Sequence, residues 1–171
     1  SAMLEIGFAK PTLPRSGALI LLVGEGDKPS GLWAEADAAT GGAIARAFAA
    51  AEFKGGKGKS CTILAPGGDL TRVVAIGLGK LADVTAQTLQ EAGGTAVTAL
   101  SRDATAAVAA DALAPAQAAE VAFGAALRAY RFDRYRTKEK AEDKPRLTGL
   151  TLLHADPAGA NFAWQPLAGV A

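Results

Sequence analysis

The residues with the clearest potential for chemistry lie directly after an apolar run. Gly77, Gly79 and Lys80 form a Gly-x-Gly-Lys pattern behind Val74-Ala75-Ile76. Backbone amides at such a turn, together with the ammonium of Lys80, can bind a phosphate. The run lacks the third glycine of a dinucleotide-binding fingerprint and the flanking residues of a P-loop. The alternative interpretation, which we favour, is a tight strand-to-helix turn that needs glycine for a positive φ.

A second pair of glycines, Gly24 and Gly26, follows the apolar run Ala18–Val23. If both runs are neighbouring strands, their loops meet at the edge of the sheet where open α/β folds bind ligands. The candidate ligand-binding residues are therefore Gly24, Gly26, Gly77, Gly79 and Lys80. Ordinary loop composition would give the same pattern, so both interpretations stay open.

Arginines and aromatic residues alternate over residues 128–136, and three lysines lie within residues 54–59. Such a mixture can contact phosphates and stack on bases. However, 18 basic residues balance 17 acidic ones, and this near-neutral charge argues against nucleic-acid binding. We expect Tyr130 and Phe132 to pack and the arginines to lie along the surface or pair with Asp133 and Glu139.

No catalytic site can be assembled from these residues. His154 is the single histidine, Cys61 is the single cysteine, and the chain has no Gly-x-Ser-x-Gly motif. Nucleophilic triads need a base and metal centres need several converging ligands, so we predict no catalytic residue, no metal ligand and no cofactor in this chain. Cys61 is interpreted as a small core residue.

Hydrophobic periodicity predicts the element order β-β-α-β-β-α-β-α-β. The predicted strands are Leu4–Phe8, Ala18–Val23, Cys61–Leu64, Arg72–Ile76, Thr105–Ala109 and Leu147–Leu153, the last with Leu147 and Leu153 on one face and Leu150 and Leu152 on the other. The Pro-Gly-Gly-Asp turn at residues 66–69 predicts an antiparallel pair.

Three helices are predicted from apolar residues at helical spacing. They run from an N-cap at Thr40 to Ala51, from Asp83 or Thr85 to about Ser101, and from Pro115 to about Phe132. In the second of these, Gly93 is expected to let the helix approach the sheet closely. Residues 134–146 are expected to form a charged, exposed loop, and the chain beyond His154 an irregular tail.

This order predicts an α/β fold of three layers, a mixed β-sheet with helices on both faces. A length of 171 residues corresponds to about one domain. Ser1 and Ala2 ahead of Met3 are interpreted as a tag remnant. No apolar run approaches the roughly 20 residues of a membrane span, and the N-terminus has no signal pattern, so we expect no membrane association and a cytoplasmic protein.

The segment VAFGAALRAYRFDRYRTKEK, residues 121–140, resembles a helix of the N-terminal domain of leucyl (cytosol) aminopeptidases. Its Gly-x-x-Leu-x-x-Tyr-x-Phe-x-x-Tyr run carries the likeness. FKGGKGKSCTIL at residues 53–64 and RVVAIGLGK at residues 72–80 stand in the order that the family shows. The resemblance covers residues 4–153.

The resemblance implies a macro-domain-like fold and a longer enzyme that removes N-terminal residues from peptides with two divalent metals, zinc or manganese. Such enzymes are usually hexamers, and their metal ligands and catalytic residues lie in a C-terminal catalytic domain around an Asn-Thr-Asp-Ala-Glu-Gly-Arg segment. This chain has no such segment. Residues 154–171 then correspond to the start of a linker into that catalytic domain, with Phe162 and Trp164 packing against it.

The resulting hypothesis is a non-catalytic accessory and assembly domain of an aminopeptidase, with its own catalytic domain and further copies as partners. Two alternatives from other classes stay open. One is a macro-like module that binds a phosphate-bearing ligand such as ADP-ribose. The other is a DNA-binding domain, against which the near-neutral charge argues.

Overall fold

The computed structural model describes residues 3–100, 102–134 and 147–170, and its six strands form one sheet. The strands are β1 (Glu5–Ala9), β2 (Ala18–Gly24), β3 (Ser60–Gly67), β4 (Leu70–Gly79), β5 (Thr105–Ala109) and β6 (Gly149–Leu153). Their order across the sheet is β1-β6-β5-β2-β4-β3. All neighbours are parallel except β3 and β4, which are antiparallel. The predicted mixed sheet and its antiparallel pair are confirmed.

Five helices accompany the sheet within the described ranges, together with a three-residue 3-10 turn at Leu81–Asp83. The helices are α1 (Gly31–Ala39), α2 (Ala43–Ala51), α3 (Ala86–Ala99), α4 (Pro115–Arg134) and α5 (Pro157–Ala168). None of these is long and apolar enough to cross a membrane. The charged segment predicted as a loop at residues 134–146 lies outside the described residues, apart from Arg134 at the end of α4.

The central strand β2 is buried on both faces, as its unbroken apolar sequence predicts. Ile20 packs into a first cluster that contains the buried side chains of α3, α4 and α5. Leu19 and Leu21 pack into a second cluster with Leu32 of α1 and Ile44 of α2. Helices therefore cover both faces of the sheet, which confirms the predicted three layers.

The helix predicted from Thr40 is wrong at its start. Thr40 ends α1 as its C-cap, and its Oγ1 donates to the Ala36 carbonyl at 2.8 Å. Gly41 and Gly42, both at positive φ, separate α1 from α2. The helix α1 was missed because it is short and only weakly amphipathic, so periodicity gave little signal for it.

The helix α3 begins at the predicted N-cap, where Thr85 Oγ1 accepts from the Thr88 amide at 3.3 Å. The close approach at Gly93 was predicted correctly, but its partner was not. A Cβ at Gly93 would overlap the Val121 carbonyl of α4, and a Cβ at Gly124 would overlap the Gln90 carbonyl of α3. Glycines thus bring two helices together, whereas the prediction was that Gly93 brings a helix to the sheet.

The chain beyond His154 is helical, which corrects the prediction of an irregular tail. Asp156 caps α5 by accepting from the Gly159 amide at 3.0 Å, and Pro157 occupies the first turn, where proline is tolerated. Trp164 is buried in the first cluster, so it packs within this chain.

The predicted face assignment of the last strand is also wrong in one place. Leu147 lies before β6 and packs with Leu150 and Leu152 in the first cluster, while Leu153 packs in the second. The strict alternation assumed for this strand fails at Leu147 because β6 begins only at Gly149.

Candidate functional site

The two predicted glycine loops do meet. β2 and β4 are parallel neighbours, and Gly24 pairs with Gly79 at their carboxyl ends. A third segment, residues 54–59, crosses the same edge of the sheet. A Cβ at Gly77 would overlap the Gly56 carbonyl, and one at Gly55 would lie 2.5 Å from the Gly24 carbonyl oxygen. Close backbone packing between loops therefore requires these glycines.

The backbone N–H groups at this junction donate within the protein. The Gly24 amide donates to Asp27 Oδ2 at 3.0 Å, and the Gly26 amide donates to the Lys54 carbonyl at 3.1 Å. The Gly77 amide donates to the Lys59 carbonyl at 2.8 Å, and the Gly79 amide to the Gly55 carbonyl at 2.9 Å. A phosphate at these amides would have to displace existing hydrogen bonds.

Lys80 is exposed and is followed by the 3-10 turn at Leu81–Asp83, which separates it from the start of α3. The structure thus brings Gly24, Gly26, Gly77 and Gly79 together and leaves the Lys80 side chain at the surface. Phosphate binding by these residues stays a prediction. The close packing between the loops already explains why the glycines lie together.

Near the carboxyl edge of the sheet, a carboxylate occupies the N-terminus of α1. Asp111 follows β5, and its Oδ2 accepts from the Leu32 amide at 3.1 Å. Helix N-termini attract anions because their first N–H groups lack partners and the helix dipole is positive there. The protein's own Asp111 fills that position. Sequence reasoning missed it because the two partners lie 79 residues apart.

Replacing Asp111 with alanine is expected to lower the free energy of unfolding by about 1 kcal/mol, the usual cost of losing a helix cap. Asp111→Asn keeps an acceptor oxygen and should lose less than half as much. Urea unfolding of the three proteins measures both differences. Equal stability of Asp111→Ala and the unmodified chain would show that the cap contributes nothing.

A cleft of about 100 Å³ lies between the lysine-bearing loop at residues 57–59 and α3. Its polar lining residues are Lys57, Lys59, Ser60, Thr88, Glu91 and Thr95. The Thr88 hydroxyl lies 3.1 Å from the Thr85 hydroxyl, so it already has a partner. Charges of both signs line this small space, and the arrangement selects no single class of ligand.

The arginine-rich stretch lies at the end of α4. Tyr130 is exposed, which corrects the prediction that it packs, and Phe132 is half-buried. Arg134 Nη1 donates to Tyr130 Oη at 3.5 Å along the helix surface. The continuation at residues 135–136 and the predicted partner Glu139 lie outside the described residues.

Neither His154 nor Cys61 is placed to act as a general base or as a nucleophile. Both ring nitrogens of the buried His154 are engaged: Nε2 lies 2.6 Å from the Leu113 carbonyl, and Nδ1 accepts from the Asp156 amide at 2.9 Å. Burial raises the pKa of the Cys61 thiol, which reduces its thiolate fraction. Cys61 packs in the second cluster, as predicted for a core residue. Among the described residues, no three His, Cys, Asp or Glu side chains converge as metal ligands.

Most of this chain matches a known protein family. Residues 20–139 match the model of the cytosol aminopeptidase family, N-terminal domain. This chain belongs to the cytosol aminopeptidase family. It represents the N-terminal domain of that family, as the resemblance at residues 53–64, 72–80 and 121–140 implies.

Relatives of this cytosol aminopeptidase domain are considerably longer. A probable cytosol aminopeptidase of Caulobacter vibrioides is 40% identical over 91% of the chain and 32% of the relative. A second, from Rhodopseudomonas palustris, is 38% identical over 95% of the chain and 34% of the relative. The chain therefore spans about a third of the length of the curated relatives it matches.

Solved structures share the fold of this domain. A tomato leucine aminopeptidase mutant superposes with a TM-score of 0.78 at 21% identity, covering 99% of this chain and 37% of that one. The bottromycin maturation enzyme BotP, in complex with manganese, gives a TM-score of 0.61 at 19% identity over 91% of this chain and 30% of its own. At these identities the likeness concerns the fold alone.

Proposed function

We propose that this chain is the non-catalytic accessory and assembly domain of a leucyl aminopeptidase that removes N-terminal residues from peptides. The observation that carries the proposal is the extent of the match. Nearly the whole chain aligns with about a third of the probable cytosol aminopeptidases, and the matching family model is that of their N-terminal domain. Catalysis then belongs to the other two thirds of the parent enzyme.

The two divalent metals of the parent, zinc or manganese, are assigned to its C-terminal catalytic domain. In the described residues of this chain, the histidine is held by backbone partners and the cysteine is a core residue. Metal centres need several ligands that converge on one point. These observations support a parent enzyme in which this domain contributes to assembly, while the following domain holds the metals and hydrolyses the peptide.

Within the parent, we assign residues 4–153 to the N-terminal domain and residues 154–171 to the start of the connection. The buried contacts of α5 support a connection that begins as a packed helix. A cytoplasmic location, in keeping with the name of the cytosol aminopeptidase family, and a hexameric assembly, implied by the family resemblance, complete the proposal.

Deleting residues 4–153 from the full-length parent should change its assembly. Analytical ultracentrifugation is expected to give the hexamer for the intact parent and smaller species for the deletion variant, because the accessory domain would contribute contacts between subunits. Circular dichroism checks that the deletion variant is folded. A folded deletion variant that still sediments as a hexamer would contradict the assembly role.

A further inference from the structure

The strand β3 forms one edge of the sheet, with β4 as its neighbour on the inner side. Its pairing with β4 keeps a single register from Ser60 to Leu64. The Gly77 amide donates to the Lys59 carbonyl, which makes Lys59 and Gly77 a hydrogen-bonded pair. Such pairs alternate with non-hydrogen-bonded ones along antiparallel strands. The N–H and C=O groups of Ser60, Thr62 and Leu64 therefore point outward, away from β4.

The outward backbone groups of β3 are open to a further strand. Within the described ranges, no hydrogen bond from a loop or a helix reaches them. Natural edge strands usually carry a lysine, a proline or a bulge that blocks pairing with another chain. In β3, Pro66 and the left-handed Ala65, at a φ of 45°, come only after the regular stretch. Residues 60–64 carry no charge and no proline, so this stretch is unprotected.

The side chains of β3 divide between a packed face and an open face. Cys61 and Ile63 pack in the second cluster, together with residues of α1 and α2. Thr62 and Leu64 lie on the opposite face of the sheet, and both are exposed, Leu64 at 66%. A strand added to this edge would bring its own side chains beside Leu64 and shield it from water, which favours the addition.

We propose that β3 pairs with β3 of a second copy of this chain, antiparallel and about a twofold axis at Thr62. This inference rests on the proposed function, because it names a surface through which the assembly domain contacts another subunit. Thr62 then faces the partner's Thr62, and Ser60 faces the partner's Leu64. In this register every outward N–H and C=O of residues 60–64 gains a hydrogen-bond partner.

The charges on either side of β3 favour this arrangement. Lys57 and Lys59 precede the strand and Asp69 follows it, all three exposed. In an antiparallel pair the start of each strand lies beside the end of the other, so the lysines of one copy approach the partner's Asp69. A parallel pair would bring the lysines of both copies together, where like charges repel. Pairing through the same strand also closes at two copies, whereas β3 against β1 would leave further edges open.

The small size of this edge places the pairing in the assembled parent. An interface between free subunits buries about 800 Å² on each side, or roughly 20 to 30 residues, and the regular part of β3 offers far fewer. In a parent held together by other contacts, a second edge is present at an effective concentration on the order of millimolar. We therefore expect the pairing in the full-length parent.

A disulfide at position 62 tests the pairing directly. In the full-length parent, Thr62→Cys would place two thiols on Cα atoms about 5.5 Å apart, a distance that a disulfide spans. Cys61→Ala is included in every variant, so that position 62 carries the thiol of its peptide. With copper phenanthroline as oxidant, we expect a covalent dimer to form about tenfold faster than with Ala116→Cys, an exposed site on α4. Gel electrophoresis without reductant measures the rate, and mass spectrometry identifies the linked peptides.

A further substitution shows whether the strand edge causes the cross-link. Leu64→Lys adds a lysine to β3, and lysines on an edge strand block pairing with another chain. Combined with Thr62→Cys, it should slow dimer formation to the rate of Ala116→Cys. Ala116→Lys adds the same charge on α4 and should leave the Thr62→Cys rate unchanged. Because Leu64 is exposed, the lysine leaves the core intact, and circular dichroism checks the fold.

Two results would overturn the proposal. One is a hexameric parent that cross-links no faster through position 62 than through position 116, which refutes this interface and leaves the proposed function in place. The other is a disulfide that joins position 62 to a different peptide. Failure of the proposed function shows in a separate measurement, a hexamer that persists after residues 4–153 are deleted.

Discussion

Replacing Gly124 with alanine is expected to lower the free energy of unfolding by about 3 kcal/mol, at the upper end of the usual cost of overpacking. A Cβ there would overlap the Gln90 backbone carbonyl, so α3 and α4 would have to separate. Their backbones cannot move apart without loosening the side chains buried between them, among them Leu89 and Val121. Urea unfolding at constant m-value measures the loss.

Gly94→Ala is the matched control for this prediction. Gly94 lies in the same helix pair, but a Cβ there would sit 3.6 Å from Arg128 Cβ, an ordinary contact. Alanine has the better helix propensity, so this variant should be unchanged or more stable by about 0.5–1 kcal/mol. If Gly124→Ala is also as stable as the unmodified chain, the close α3–α4 contact does not stabilise the fold.

The second large effect is expected at Asp103, which is 5% exposed. Its Oδ2 lies 2.6 Å from Arg72 Nε, and its Oδ1 accepts from the Thr71 hydroxyl at 2.6 Å. Asp103→Ala leaves a mostly buried guanidinium without its counter-charge, and we expect a loss of about 2–3 kcal/mol. This is below the loss for a fully buried pair because Arg72 keeps some contact with water.

A double variant separates the lost charge from the lost packing. Combining Asp103→Ala with Arg72→Met removes the uncompensated charge, so the double variant should be more stable than Asp103→Ala alone. Asp83→Ala, at an exposed carboxylate, should change stability by less than about 0.5 kcal/mol. A double variant that is less stable than the single one would show that the ion pair is not the cause.

Local sequence signals predicted most of the fold because the strands and long helices bury regular apolar faces. The unbroken apolar run of β2 and the Thr85 cap of α3 are examples. The helix α5 is hidden in the sequence because proline and glycine usually break helices, although here Pro157 starts the helix and Asp156 caps it. Local pattern cannot show that Trp164 has a buried site to fill.

At the candidate site, too, the local sequence predicts some contacts, whereas others depend on segments that are distant in the chain. The sequence predicts that the loops at Gly24 and Gly79 meet only if their strands are neighbours, and the pairing of β2 with β4 supplies that condition. The hydrogen bonds that occupy their amides come from Lys54, Gly55 and Lys59 in a third loop. Asp111 at the α1 N-terminus likewise depends on a contact across 79 residues, which only the folded chain supplies.

Hydrolysis of a leucyl anilide is the most direct test of the claim that this domain is not the catalytic part. The purified 171-residue chain and the full-length parent are assayed at equal molar concentration with added manganese or zinc. The parent should hydrolyse the anilide at an enzyme-like rate, on the order of 1–1,000 per second. The hydrolysis rate with the 171-residue chain should not exceed the rate in buffer with metal alone. An enzyme-like rate from the purified chain would contradict the account.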